Sequence, residues 1–214
     1  MTELQWILYG DRRSGSAVVE LALSVLGADY ATVDVPLASD AQRAADYRQV
    51  NPQQKLPSLV TPEGETLTET AAILIYLSER FTAPPLLPSP GTADRARALR
   101  WLLFIASELY PLIEIIDYPQ RFVPEPLSVQ AADAQRDHAR SIWKRRWRIV
   151  ENAVGGDPWF LPAGFSALDL YVAVVSRWAQ LDDWRRANLP RVEAIAAALA
   201  ARPDCEAAWA RHFG

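Results

Sequence analysis

The sequence predicts two domains: an N-terminal α/β domain of order βαβαββα, then an all-helical bundle domain. Three observations carry this. Strand-type and helix-type periodicities alternate over residues 1–82, the stretch "TAPPLLPSPGTADR" punctuates the chain with prolines, and no strand pattern follows residue 95. The expected domains are 1–82 and 93–214, joined by a proline-rich linker at 83–92. A chain of 214 residues suits two unequal cores, since domains cluster near about 100 to 150 residues.

The elements follow in order. "LQWILYG" is an apolar, aromatic-rich run ending in Gly10, which reads as a strand. "SAVVELALSVLGA" has apolar residues at helical spacing and Gly27 as a stop. "DYATVDVPL" alternates as a strand does, and "SDAQRAADYRQV" reads as a helix with Ser39 or Asp40 as N-cap. After Pro57, "SLV" and "TPEGETL" form a hairpin, and "TETAAILIYLSERF" supplies a helix to cover the sheet. Beyond the linker, a helix from about Ala93 through Tyr118 is apolar on most faces over Trp101 to Ile116, as at the centre of a bundle.

Composition excludes several function classes. A net charge of −4 without a basic stripe argues against nucleic acid as a partner. "WKRRWR" at 143–148 reads as the basic outer face of a helix whose Trp143 and Trp147 point inward. No run reaches the roughly 18 to 20 apolar residues of a spanning helix, so no membrane role is expected. One cysteine, Cys205, and an N-terminus without signal-peptide character point to a cytoplasmic protein, with Cys205 packed rather than reactive. No metal-ligand pattern is evident.

Three motifs carry a family resemblance. "NPQQKLPSLV" is similar to Asn-Pro-x-Gly-x-Val-Pro-x-Leu, "LTETAAILIYL" to Leu-x-Glu-Ser-x-Ala-Ile-x-x-Tyr-Leu, and "GFSALDLYVA" to Gly-x-x-Ser/Thr-x-x-Asp. In this order they resemble the cytosolic glutathione S-transferases, and the resemblance covers nearly the whole chain. It implies a thioredoxin-like first domain, glutathione as co-substrate, a homodimer, and attack of the glutathione thiolate on a small hydrophobic electrophile. A catalytically silent binding protein of the same fold is the competing class, and isomerase, dehalogenase and etherase chemistries are open within the enzymes.

The resemblance also implies site residues. Pro57 would follow a cis bond and turn the backbone of Leu56 toward the cysteinyl part of glutathione. Thr70, in the place of the family's Ser, and Glu69 would hold the γ-glutamyl end at a helix N-terminus. Lys55, Gln53 or Gln54 would reach the glycyl carboxylate, with Gln54 standing where the family commonly has Gly. Bacterial cysteine-type members have their active cysteine at the position of Gly15, so thiolate stabilisation falls to a hydroxyl here. Ser14 is the first candidate in "YGDRRSGSAVVELAL", Ser16 the alternative with Ser14 as N-cap, and Tyr9 the third. Tyr110 stands where those members tend to have His, which makes it a candidate for the electrophile pocket or a packing residue. Ser166 and Asp169 have capping-box spacing, and loss of the carboxylate is expected to cost about 1 kcal/mol or more.

Overall fold

The computed structural model describes residues 5–124 and 129–214. Four strands make the sheet: β1 (Trp6–Gly10), β2 (Tyr30–Asp34), β3 (Ser58–Val60) and β4 (Thr66–Thr68), in the order β2-β1-β3-β4. Leu4, the first residue of the expected first strand, lies outside the described residues. β1 and β2 are parallel, while β1–β3 and β3–β4 are antiparallel. The parallel pair needs a crossover, which α1 (Ser16–Val25) provides, and the β3–β4 hairpin needs only the turn around Gly64. With α2 (Ala45–Val50) and α3 (Thr70–Arg80) the order is βαβαββα, the thioredoxin-like arrangement.

α1 is buried nearly all round because α3 and α10 (Glu206–Phe213) both pack on it. Its Ala17, Val18, Val19, Leu21, Ala22 and Leu23 are fully enclosed. Gly27 ends it at φ +60°, a left-handed turn in which an added Cβ would cost energy.

The second helix starts later than the sequence suggests. Two 3₁₀ turns, Leu37–Ser39 and Ala41–Arg43, precede α2, and Asp40 sits between them at φ +55°. That left-handed residue breaks any helix begun at 39 or 40, so neither Ser39 nor Asp40 caps α2, and Ala44 stands at its N-cap without a side-chain bond. What holds this short helix is Tyr47. Its buried ring packs with Val35 and Leu56, and its hydroxyl donates to the Lys55 carbonyl at 2.7 Å.

The expected helix from Ala93 to Tyr118 is present as α4 (Ala93–Phe104) and α5 (Tyr110–Asp117), joined by the π-helical turn Ile105–Leu109. Pro111 accounts for the wider turn, because its ring would strike the carbonyl four residues back and it has no N–H to give. α6 (Val129–Ala153), α7 (Ala167–Val175), α8 (Asp182–Asn188) and α9 (Pro190–Ala200) follow. Trp143 and Trp147 point into the core one turn apart, edge to face at 5.7 Å. Cys205 is likewise enclosed, and burial pushes its thiol up to about 12, so it packs and does not react.

Packing separates the chain into two compact units. The first ends at Pro88 and takes in Ala197–Gly214, and the second is Ser89–Ala196. The C-terminal segment that the sequence grouped with the helical domain thus lies with the sheet. Buried side chains of α10 and α1 meet there, with His212 Nε2 2.8 Å from Glu20 Oε2. Among the described residues no helix is long and apolar enough to cross a membrane.

Candidate functional site

Strand register brings three of the candidate segments to one end of the sheet. Tyr9 on β1 faces Ser58 on β3, and Ser58 faces Thr68 on β4. The residues just beyond this row therefore leave the sheet at one end: Gly10 and Asp11 leading to α1, Leu56 and Pro57 entering β3, and Glu69 and Thr70 opening α3.

The turn before α1 is built around the Asp11 backbone. Ser14 Oγ and Ser16 Oγ lie 2.8 Å apart, and both are within reach of the Asp11 carbonyl, at 2.9 and 3.1 Å. Each also accepts from the Asp11 amide, at 3.4 and 3.2 Å. Two hydroxyl protons thus share one carbonyl and each other, so either hydroxyl can turn its O–H to donate to a ligand while the other keeps the carbonyl satisfied. Gly15, not Ser14, is the N-cap of α1, although Ser14 Oγ accepts from the Ser16 amide at 3.2 Å. Ser16 is almost sealed at 2% exposure and Ser14 is slightly more open at 9%.

Two residues of this turn escaped the sequence reading. Asp11 ties it to the chain after β2, its carboxylate accepting from the Leu37 amide at 2.8 Å and from the Arg12 amide at 2.7 Å. Gly10 leaves the space that Ser16 fills, since a Cβ there would lie 2.2 Å from Ser16 Oγ and 2.4 Å from Ser16 Cβ. Gly10→Ala is accordingly expected to expel the Ser16 side chain and cost about 1 to 3 kcal/mol, measured by denaturant unfolding. A strand ending in Gly-Asp hints at a turn, but only the through-space contact reveals its purpose.

The Tyr9 ring packs 5.9 Å from Tyr47, against the cluster of Val35, Tyr47 and Leu56.

The second segment has a cis Leu56–Pro57 bond, with Leu56 and Pro57 buried. The carbonyl of Lys55 is held by Tyr47 and by Asn51 Nδ2 at 2.8 Å, while the Lys55 side chain is exposed. Gln54 has φ +56°, the left-handed conformation that explains why Gly would suit its place. With its amide oxygen turned toward Arg48, Gln54 accepts from that guanidinium at 3.1 Å.

At the third segment Glu69 is the N-cap residue of α3, with φ +67° and no side-chain capping bond. Thr70 opens the helix, is 4% exposed, and its Oγ1 has no hydrogen-bond partner. A capping hydroxyl would be bonded to the helix; this one is not. In the helical unit, Tyr110 stands edge-on to Trp178 at 4.9 Å. Ser166 and Asp169 form the capping box at the start of α7. Among the described residues no three His, Cys, Asp or Glu side chains cluster as a metal site.

The glutathione S-transferase N-terminal domain family matches residues 4–79. A sphingomonad glutathione S-transferase, solved in complex with glutathione, is 30% identical with a TM-score of 0.78, covering 97% of this chain and 100% of that one. The chain belongs to the glutathione S-transferase superfamily. Among curated relatives, a glutathione S-transferase of Escherichia coli is 27% identical, over 89% of this chain and 90% of its own length. A maleylacetoacetate isomerase of Pseudomonas aeruginosa is also 27% identical, over 90% of this chain and 89% of its own.

Proposed function

We propose that this transferase-family chain binds glutathione at the shared end of its sheet and holds the thiol as a thiolate for attack on a small hydrophobic electrophile. The observation that carries the reading is Thr70. An unpartnered, buried hydroxyl at the first turn of an eleven-residue helix is a costly feature without a ligand, and a carboxylate placed there satisfies both the hydroxyl and the positive helix end. The γ-glutamyl carboxylate fits that demand, and exposed Glu69 beside it offers an acceptor for the ammonium group.

In this reading the Leu56 backbone pairs with the cysteinyl part, next to Pro57. Lys55 extends toward the glycyl carboxylate, while the Gln54 side chain is spent on Arg48 and contributes the path of its backbone. The sulfur lies by the Ser14–Ser16 pair, where a donated hydrogen bond and the N-terminal end of α1 favour the anion. Tyr110 is the candidate of the helical unit for contact with the electrophile. The sphingomonad relative's complex with glutathione supports the choice of ligand.

Thr70→Val tests it. Calorimetric titration is expected to show glutathione affinity falling about tenfold or more, the worth of one hydrogen bond to a charged group. Thermal unfolding without glutathione should be unchanged or slightly higher, because the lost hydroxyl has no partner in the protein. Unchanged affinity would refute the site. The chain is further expected to sediment as a homodimer of about twice 23.9 kDa.

The maleylacetoacetate isomerase relative favours a second reading, glutathione-dependent isomerisation. Stoichiometry separates the two: conjugation consumes one glutathione per turnover, while isomerisation returns it.

A further inference from the structure

We infer that His212, at the far end of the chain, is a positioning residue that holds the turn carrying Ser14 and Ser16 in its working shape; its bearing on turnover rests on the function proposed above.

The turn needs holding. Arg13 sits at φ +61°, a conformation that a non-glycine residue keeps only when its surroundings impose it. The last turn of α10 supplies that constraint at two consecutive residues. The Arg13 amide donates to His212 Nδ1 at 3.1 Å, and Arg12 Nε donates to the Arg211 carbonyl at 2.8 Å. The next residue is Ser14.

His212 is itself fixed. It is 4% exposed, and a neutral imidazole that accepts at Nδ1 has its one N–H on Nε2, which donates to Glu20 Oε2 at 2.8 Å. Glu20, 2% exposed on α1, also takes Arg211 at 2.7 Å and the Tyr30 hydroxyl at 3.3 Å on its other oxygen. The relay thus runs from α1 through Glu20 and His212 to the Arg13 amide. It closes a loop on the same helix whose first residue is Ser16.

A purely structural role would make the Glu20 contact the important one, and the two roles predict opposite rankings of two variants. In His212→Asn the amide oxygen replaces Nδ1, keeps the Arg13 bond and gives up Glu20. In His212→Gln the amide nitrogen replaces Nε2, keeps Glu20 and leaves the Arg13 amide without an acceptor.

The expected result is that His212→Gln speeds hydrogen exchange at the Arg13 amide about tenfold. It should also lower kcat about five- to tenfold, with the glutathione KM within about twofold, because the ligand contacts on the other two segments are untouched. His212→Asn is expected to keep both values within about twofold of the wild type, although its unfolding midpoint falls further. The reverse ranking, or equal losses in the two variants, overturns the proposal. Nitrogen NMR of the wild-type imidazole gives an independent reading should a variant fail to fold: a proton on Nδ1 would refute the tether. If the wild type neither binds glutathione nor turns over, the proposed function fails while the exchange measurement still decides the tether.

Discussion

Asp169→Ala is expected to destabilise the helical unit by about 3 kcal/mol or more, seen as a lowered denaturation midpoint. The side chain is wholly enclosed, and it accepts from the Phe160 amide at 2.7 Å, the Ser166 amide at 2.8 Å and Ser166 Oγ at 3.2 Å. Deletion strands two buried amides, each worth about 1 to 3 kcal/mol when left unmade. Asp169→Asn is expected to lose about half as much, because one amide oxygen replaces two carboxylate oxygens and the NH₂ then faces a donor.

The same burial gives the stability a pH signature. Desolvation pushes the Asp169 carboxyl up to about 6, against three hydrogen bonds that favour the anion. The folded state therefore binds this proton more tightly than the unfolded chain, whose carboxyl titrates near about 3.9. Its stabilising contribution is complete below that lower value and is lost as pH rises through about 6, a fall of up to about 3 kcal/mol. Denaturation curves from about pH 4 to about pH 7 should show this fall in the wild type and not in Asp169→Asn. An equal slope in both would place the titration elsewhere.

Asp169 also marks the limit of what was legible in advance. Ser-x-x-Asp is a local pattern, so the capping box could be read from four residues, but the Phe160 amide joins it only because the preceding loop folds back. The apolar run "LQWILYG", the alternation of "DYATVDVPL" and the helical periodicity of α1 and α3 pointed to the βαβαββα order for the same reason: each signal lies within one element. The start of α2 was misread because Asp40 adopts a left-handed turn that no periodicity announces. The membership of α10 depends on His212 meeting Glu20, 192 residues away in sequence, which no local window contains. At the site, small hydroxyls after a glycine made Ser14 and Ser16 visible, while the roles of Gly10 and Asp11 emerged from contacts across the turn.

The serine pair poses the sharpest test of the proposed chemistry. Ser14→Ala is expected to lower turnover with an aromatic halide by about 10- to 100-fold, the loss of one hydrogen bond to a thiolate worth about 1.5 to 3 kcal/mol. Ser14 is the proposed donor because it is the more exposed residue of the two, and Ser16 Oγ, 2.8 Å from Ser14 Oγ, can keep the shared Asp11 carbonyl satisfied. Glutathione affinity should change little, since Thr70, Glu69 and the Leu56 backbone supply the proposed binding contacts. The sign with pH follows from the role. A donor that stabilises the anion lowers the thiol pKa, so its removal raises the apparent pKa by about one to two units and activity recovers as pH rises. Ser16→Ala removes only the supporting hydroxyl, and a loss of about threefold to tenfold with little shift in the profile is expected. A pKa shift confined to Ser16→Ala would move the donor role by two residues. If neither variant shifts the profile, the pair does not hold the thiolate, and either Tyr9 is the donor or the chain is a glutathione-binding member of its family without this chemistry.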